Sequence, residues 1–65
     1  MPEYPRLSAK EAEKLLFAKG FELLRQKGSH KIYAKGSLRQ ILPHHSGEIL
    51  HPKIVKQVFE MLAKA

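Results

Sequence analysis

Cysteine, aspartate and asparagine are missing from this 65-residue chain. Without cysteine there is neither a disulfide framework nor a thiolate metal site. Without aspartate every carboxylate is a glutamate, and no glutamate lies between Leu23 and Gly47. A Ser-His pair in that interval, such as Ser29-His30, has no neighbouring carboxylate to orient its imidazole. This speaks against a hydrolase triad there. Long apolar runs are also absent: none approaches the roughly 20 residues needed to span a bilayer. Residues 1–5, Met-Pro-Glu-Tyr-Pro, have no apolar segment behind them of the kind a signal peptide carries. We therefore expect a cytoplasmic protein with no membrane partner.

The chain has the length of one small domain, residues 1–65, with a core of marginal size. A partner chain is the natural supplement to so small a core. The formal net charge is +6, which favours polyanionic partners: nucleic acid, an acidic protein surface or anionic lipid. The distribution is sharper than the total. Arg25, Lys27, Lys31, Lys35 and Arg39, with His30, His44 and His45, all fall in the stretch that lacks acids, whereas the flanks mix lysine with glutamate.

The element pattern is equally legible. Ser8-Ala9-Lys10-Glu11 has the form of a capping box, followed by Ala12, Leu15 and Leu16 at helical spacing and by Gly20 as a stop. This predicts a helix over residues 8–19. Residues 21–27 read as a strand whose alternation is blurred by Leu23-Leu24. Lys27-Gly28-Ser29 is a turn, and 30–34 a second strand with His30, Ile32 and Ala34 on one side and Lys31 and Tyr33 on the other. Lys35-Gly36-Ser37 closes a second hairpin into a strand over 39–44, where Pro43 suits an end or edge. A final helix starts at Pro52, with Val55, Val58, Phe59 and Leu62 on one apolar face. The expected class is α+β, in the order α-β-β-β-α. A three-stranded antiparallel sheet would carry both helices on one face, the layout of a double-stranded-RNA-binding-domain-like fold. Fold alone does not give function.

His30 has two readings. It is a solvated histidine at the start of a strand, or it is a general acid or base beside the cations of the first hairpin. Imidazole titrates near neutral pH, and Arg25, Lys27 and Lys31 would attract phosphate and stabilise charge developing on it. That combination suits cleavage of an RNA phosphodiester through its 2′-hydroxyl. Adjacent strand residues point to opposite faces, so His44 and His45 cannot easily chelate one ion together. A metal site from His30, one of that pair and His51 lacks any carboxylate or cysteine at metal-motif spacing. Ser29 reads as a turn residue. Tyr33 either stacks on a base or fills its strand. The one-signed run of cations reads as an RNA-binding surface, although lysine on an edge strand also prevents aggregation.

Gly20-Phe21, Arg25-Gln26-Lys27-Gly28-Ser29-His30 with Ile32 and Tyr33, and Pro43-His44-His45 with Gly47 and Leu50 form an ordered set. On it the chain resembles the HicA toxins, the mRNA interferases of bacterial and archaeal toxin–antitoxin systems. The resemblance implies a double-stranded-RNA-binding-domain-like fold, an endoribonuclease acting on mRNA, and inhibition by a HicB-type antitoxin that covers the active site. The family's catalytic histidine falls on His30, with Gly28 and Ser29 as the turn presenting it; His44 and His45 match a Pro-His-His element to which no role is carried over. We expect RNA contacts from Arg25, Lys27, Gly28, Ser29, Lys31, Tyr33, Lys35, Arg39, His44 and His45, and no metal or small-molecule cofactor. The second proton transfer would come from a water, Lys27, Lys31, His44 or His45. Where the family often has Gly-Thr-Leu before the last helix, this chain has His51-Pro52-Lys53-Ile54, which alters the expected cap. Two other classes stay open: a non-catalytic RNA-binding module, and a domain whose basic face docks an acidic protein.

Overall fold

The computed structural model describes residues 4–44 and 49–65. Helix α1 (Ala9–Ala18) starts at Ser8, whose hydroxyl accepts from the Glu11 backbone N–H while the Glu11 carboxylate accepts from the Ser8 N–H, the reciprocal box that satisfies two orphan donors. It ends at Gly20, whose φ of 95° favours a residue without a Cβ. The Lys35 ammonium then donates to the Lys19 carbonyl at 2.6 Å, tying the helix C-terminus to the sheet. Strands β1 (Glu22–Lys27), β2 (His30–Lys35) and β3 (Leu38–Pro43) form one antiparallel sheet in that order. The two hairpins have two-residue turns with glycine first, Gly28 at φ 60° and Gly36 at φ 59°. This is the arrangement of a type II′ turn, whose twist matches that of the strands.

Helix α2 (Pro52–Lys64) begins with proline at its first position, where a missing N–H costs nothing. His51 solves the capping question raised by the departure from the family pattern. Its ring Nδ1 accepts from the Lys53 backbone N–H at 3.1 Å, the job a serine or aspartate usually does. The segment before α1 is tied to the one before α2: Leu50 N–H donates to the Leu7 carbonyl at 2.8 Å, and the rings of Tyr4 and Phe59 stack with centroids 5.0 Å apart.

Both helices lie on one face of the sheet, as expected. Their apolar stripes (Ala9, Ala12 and Leu16; Val55, Val58 and Leu62) meet Phe21, Tyr33, Leu42 and Leu50 in a single core. Cross-strand pairing then assigns every strand residue to a face. Leu23, Tyr33 and Gln40 share the helix side, as do Gln26, Lys31 and Leu42. The other parity faces away from the helices: Glu22, Ala34 and Arg39; Arg25, Ile32 and Ile41; Lys27, His30 and Pro43. The blurred alternation at Leu23-Leu24 is a β-bulge, where the register shifts between Leu23 and Arg25. Without that extra residue Arg25 would pair with Lys31 on the helix side. With it, Arg25 and Lys27 join the open face.

Two neighbours on β3 test this assignment. Leu42 is fully buried, and Leu42→Ala removes about 2–5 kcal/mol. A core of this size supplies only about 3–5 kcal/mol in all. We predict a chain largely unfolded at room temperature by circular dichroism. Ile41 is 52% exposed on the open face, and Ile41→Ala should cost under about 1 kcal/mol and leave the spectrum unchanged. The opposite ranking would contradict the face assignment.

Candidate functional site: a basic face and a half-buried polar cluster

His30 is exposed and opens β2 directly after the Gly28-Ser29 turn. Its cross-strand neighbours are Lys27 on β1 and Pro43 on β3, so imidazole and ammonium project from the same end of the open face. Arg25 lies two residues further along β1 on that face, and Arg39 on β3 opposite Ala34. Arg39 folds back on the second hairpin, its Nη1 donating to the Gly36 and Leu38 carbonyls at 2.7 and 2.9 Å. Between the cations lie Ile32, half-buried, and Ile41. The single strand carboxylate on this face, Glu22, is opposite Ala34, at the end of the sheet away from His30. The expected set of Arg25, Lys27, His30 and Arg39 is thus one surface, with Gly28 as the turn residue beside it.

Three other expected RNA contacts lie on the helix side of the sheet, opposite His30. Tyr33 is fully buried, its ring edge-on to Phe17, so no base can stack on it. The alternative reading, that Tyr33 fills its strand, is the correct one. Lys31 forms an ion pair with Glu13 at 3.4 Å, and Lys35 is engaged with α1. All three share the helix side because they stand two residues apart on one strand. Ser29 is half-buried in the turn. His45 lies outside the described residues.

His44 belongs to the helix side as well, and there it completes a cluster that the sequence did not reveal. The Tyr33 hydroxyl donates to Glu13 Oε2 and stands 2.9 Å from His44 Nε2. The protons can be assigned by elimination. Burial alone would raise the Glu13 carboxyl, but the Tyr33 hydroxyl, Lys31 and His44 outweigh it and hold its pKa below the ordinary value. An ionised carboxylate only accepts, so the single phenolic proton goes to Glu13. His44 must then donate its Nε2–H to the Tyr33 oxygen. Burial, then the Lys31 charge, lowers the His44 pKa against the opposing pull of Glu13, so the ring is neutral at pH 7. Burial and Glu13 both raise the Tyr33 pKa, so the phenol stays a donor.

This division also separates three of the four histidines. His30 faces outward, His44 inward, and His51 uses its Nδ1 on the α2 cap. Among the described residues no group of three or more His, Cys, Asp or Glu is arranged to hold a metal.

The cluster makes stability depend on pH. At both Glu13 and His44 the folded pKa lies below the unfolded one, so the unfolded chain binds the proton more readily and stability rises with pH through each. We predict a melting temperature that falls on acidification in two stages. The first begins below the ordinary 6.5 of His44, the second below the ordinary 4.5 of Glu13. In thermal melts across this range His44→Gln should flatten the upper stage and Glu13→Gln the lower. A melting temperature insensitive to pH from 7 to 3 would contradict the assignment.

No helix among the described residues is long and apolar enough to cross a membrane. Compared with known proteins, the chain gives no match among curated sequences and none among solved structures. Residues 9–65 match the family described as the HicA toxin of bacterial toxin–antitoxin systems. This match extends from the first residue of α1 through the whole sheet and α2, and it carries the implication of an antitoxin partner. The chain belongs to the HicA toxin family.

Proposed function

We propose that this toxin is a metal-independent endoribonuclease that cuts mRNA, with His30 as general acid or base and the open-face cations as its grip on RNA. The observation that carries the reading is the pairing of His30 with Lys27 on an exposed, cationic sheet face. In the reaction His30 takes the proton of a ribose 2′-hydroxyl, whose oxygen attacks the adjacent phosphorus. The bond from phosphorus to the 5′-oxygen breaks, and that oxygen takes up a proton. The products are a 2′,3′-cyclic phosphate and a 5′-hydroxyl. Lys27 is suited to stabilise the charge on the pentacoordinate phosphorus, because it shares the face with His30.

Lys31 and His44, both candidates for the second proton transfer on sequence grounds, belong to the opposite face and are engaged with Glu13 and Tyr33. Lys27 or a water fits that role better. Arg25, Lys27 and Arg39 account for affinity through the phosphate backbone, while Ile32 and Ile41 offer an apolar floor for bases. A HicB-type antitoxin would inhibit by covering His30 and this face.

The test is cleavage of a long single-stranded RNA by purified wild type and His30→Ala, each with and without EDTA, read on a denaturing gel. We predict that His30→Ala cuts about 10²–10⁴-fold more slowly while binding RNA almost as well, and that EDTA has no effect. Cleavage by the variant at the wild-type rate would remove His30 from the chemistry. RNA binding without cleavage by wild type would favour a non-catalytic RNA-binding module.

A further inference from the structure

Beyond the pairing of Lys27 with His30, two hydrogen bonds among the described residues hold the Gly28-Ser29 turn that presents His30. On the β1 side the Gln26 side-chain amide donates to the Gly28 carbonyl at 2.9 Å. On the β3 side the residue opposite His30 is Pro43, which has no N–H to give the ladder. The next donor along β3 is the His44 backbone N–H, and it donates to the Ser29 carbonyl at 2.6 Å. His44 lies one residue past the end of β3, and its side chain is anchored. The imidazole is held by the Tyr33 hydroxyl, which is held in turn by Glu13 of α1.

We infer that Glu13, Tyr33 and His44 form a positioning relay. Through the bond from His44 N–H to the Ser29 carbonyl, the relay fixes the turn and thereby the orientation of His30 on the opposite face. Hydrogen bonds run without a break from α1 to the turn, through Glu13 on α1, Tyr33 on β2 and His44 just past β3. Tyr33 is the middle member: it is fully buried, its ring is fixed by packing against Phe17, and its oxygen bonds both outer partners. None of the three touches the substrate in this scheme. Their effect on catalysis, which presupposes the ribonuclease reading of His30, runs entirely through the backbone at 29–30.

Tyr33→Phe keeps the buried ring and removes only the hydroxyl. Because the Glu13 carboxylate then loses a donor, Glu13→Gln serves as a second variant that retains a hydrogen-bonding group without the charge. Two readouts are needed, both on folded protein well below its melting temperature. The first is amide hydrogen exchange by NMR. In Tyr33→Phe the His44 amide should exchange at least about tenfold faster, while amides in the middle of β2 and β3 change far less. The second is cleavage of RNA at saturation. The rate should fall roughly ten- to a hundredfold with half-saturation unchanged, because the open-face cations are untouched. Glu13→Gln should move both readouts in the same direction.

Uniform acceleration of exchange across the sheet, with unchanged cleavage by the folded fraction, would overturn the relay and leave Tyr33 a purely structural residue. An unchanged His44 amide in both variants would also overturn it. Selective loss of His44 protection in a protein whose wild type cuts no RNA would support the link to the turn while sinking the ribonuclease reading.

Discussion

The central strand β2 must serve two faces at once, and the hydrogen bonds of Tyr33 decide which residue goes where. A side-chain period of two means that a one-residue slip would drive His30 and Ile32 into the core and turn Tyr33 out to water. What pins the register is a buried phenol with two partners. Its oxygen meets Glu13 from α1 and His44 from the end of β3, both of which would be left with unmet hydrogen bonds by any slip. Lys31 closes the cluster by neutralising Glu13. Inward polarity of this kind is costly unless satisfied, and here no buried side-chain donor or acceptor among the described residues lacks a partner. The outward position of His30 follows from the inward position of Tyr33.

The same constraint sorts the positive charge. A net charge of +6 suggests a body coated with cations, yet the central ones divide by function. Lys31 neutralises the half-buried Glu13 carboxylate, and Lys35 caps a helix from across the sheet. Arg25 and Lys27 reach the open face because one extra residue, Leu24, breaks the pairing of β1. The bulge is thus what brings β1's cations beside His30. Membership in the HicA toxin family adds a further consequence. Under the proposed function, RNA and a protein antitoxin would compete for the one cationic face that carries the exposed Ile41.

Much of this was legible in the sequence because local rules agreed. The capping box at Ser8, the glycine-first turns at Gly28 and Gly36, and Pro52 at the start of α2 each gave a boundary within a residue or so. The facing of β2 was not legible. His30-x-Ile32-x-Ala34 is more apolar by count than Lys31-x-Tyr33-x-Lys35, yet the latter row lies inward. Lysine stems can line a core margin while their ammonium groups find partners there, and Tyr33 is the fully buried member of that row. Glu13 escaped notice for a related reason. It flanks the stripe of Ala9, Ala12 and Leu16 and looks solvated on a helical projection; only its tertiary partner Tyr33, 20 residues away, makes it structural. A glutamate four residues after one buried alanine and three before a buried leucine was the available signal. The role of His51 could not be anticipated either, since histidine is an uncommon cap.

The proposed function divides the sheet into a face that would meet RNA and a face that would hold His30 in place. An NMR titration of the wild-type chain with a 2′-O-methylated oligoribonucleotide, which binds but cannot cyclise, tests that division directly. We predict chemical-shift changes in the side chains of Arg25, Lys27, His30, Ile32, Arg39 and Ile41, with the Tyr33 ring and the ammonium groups of Lys31 and Lys35 unmoved. Shifts concentrated on α1, α2 and the Lys31 to Lys35 row, with the open face silent, would contradict it.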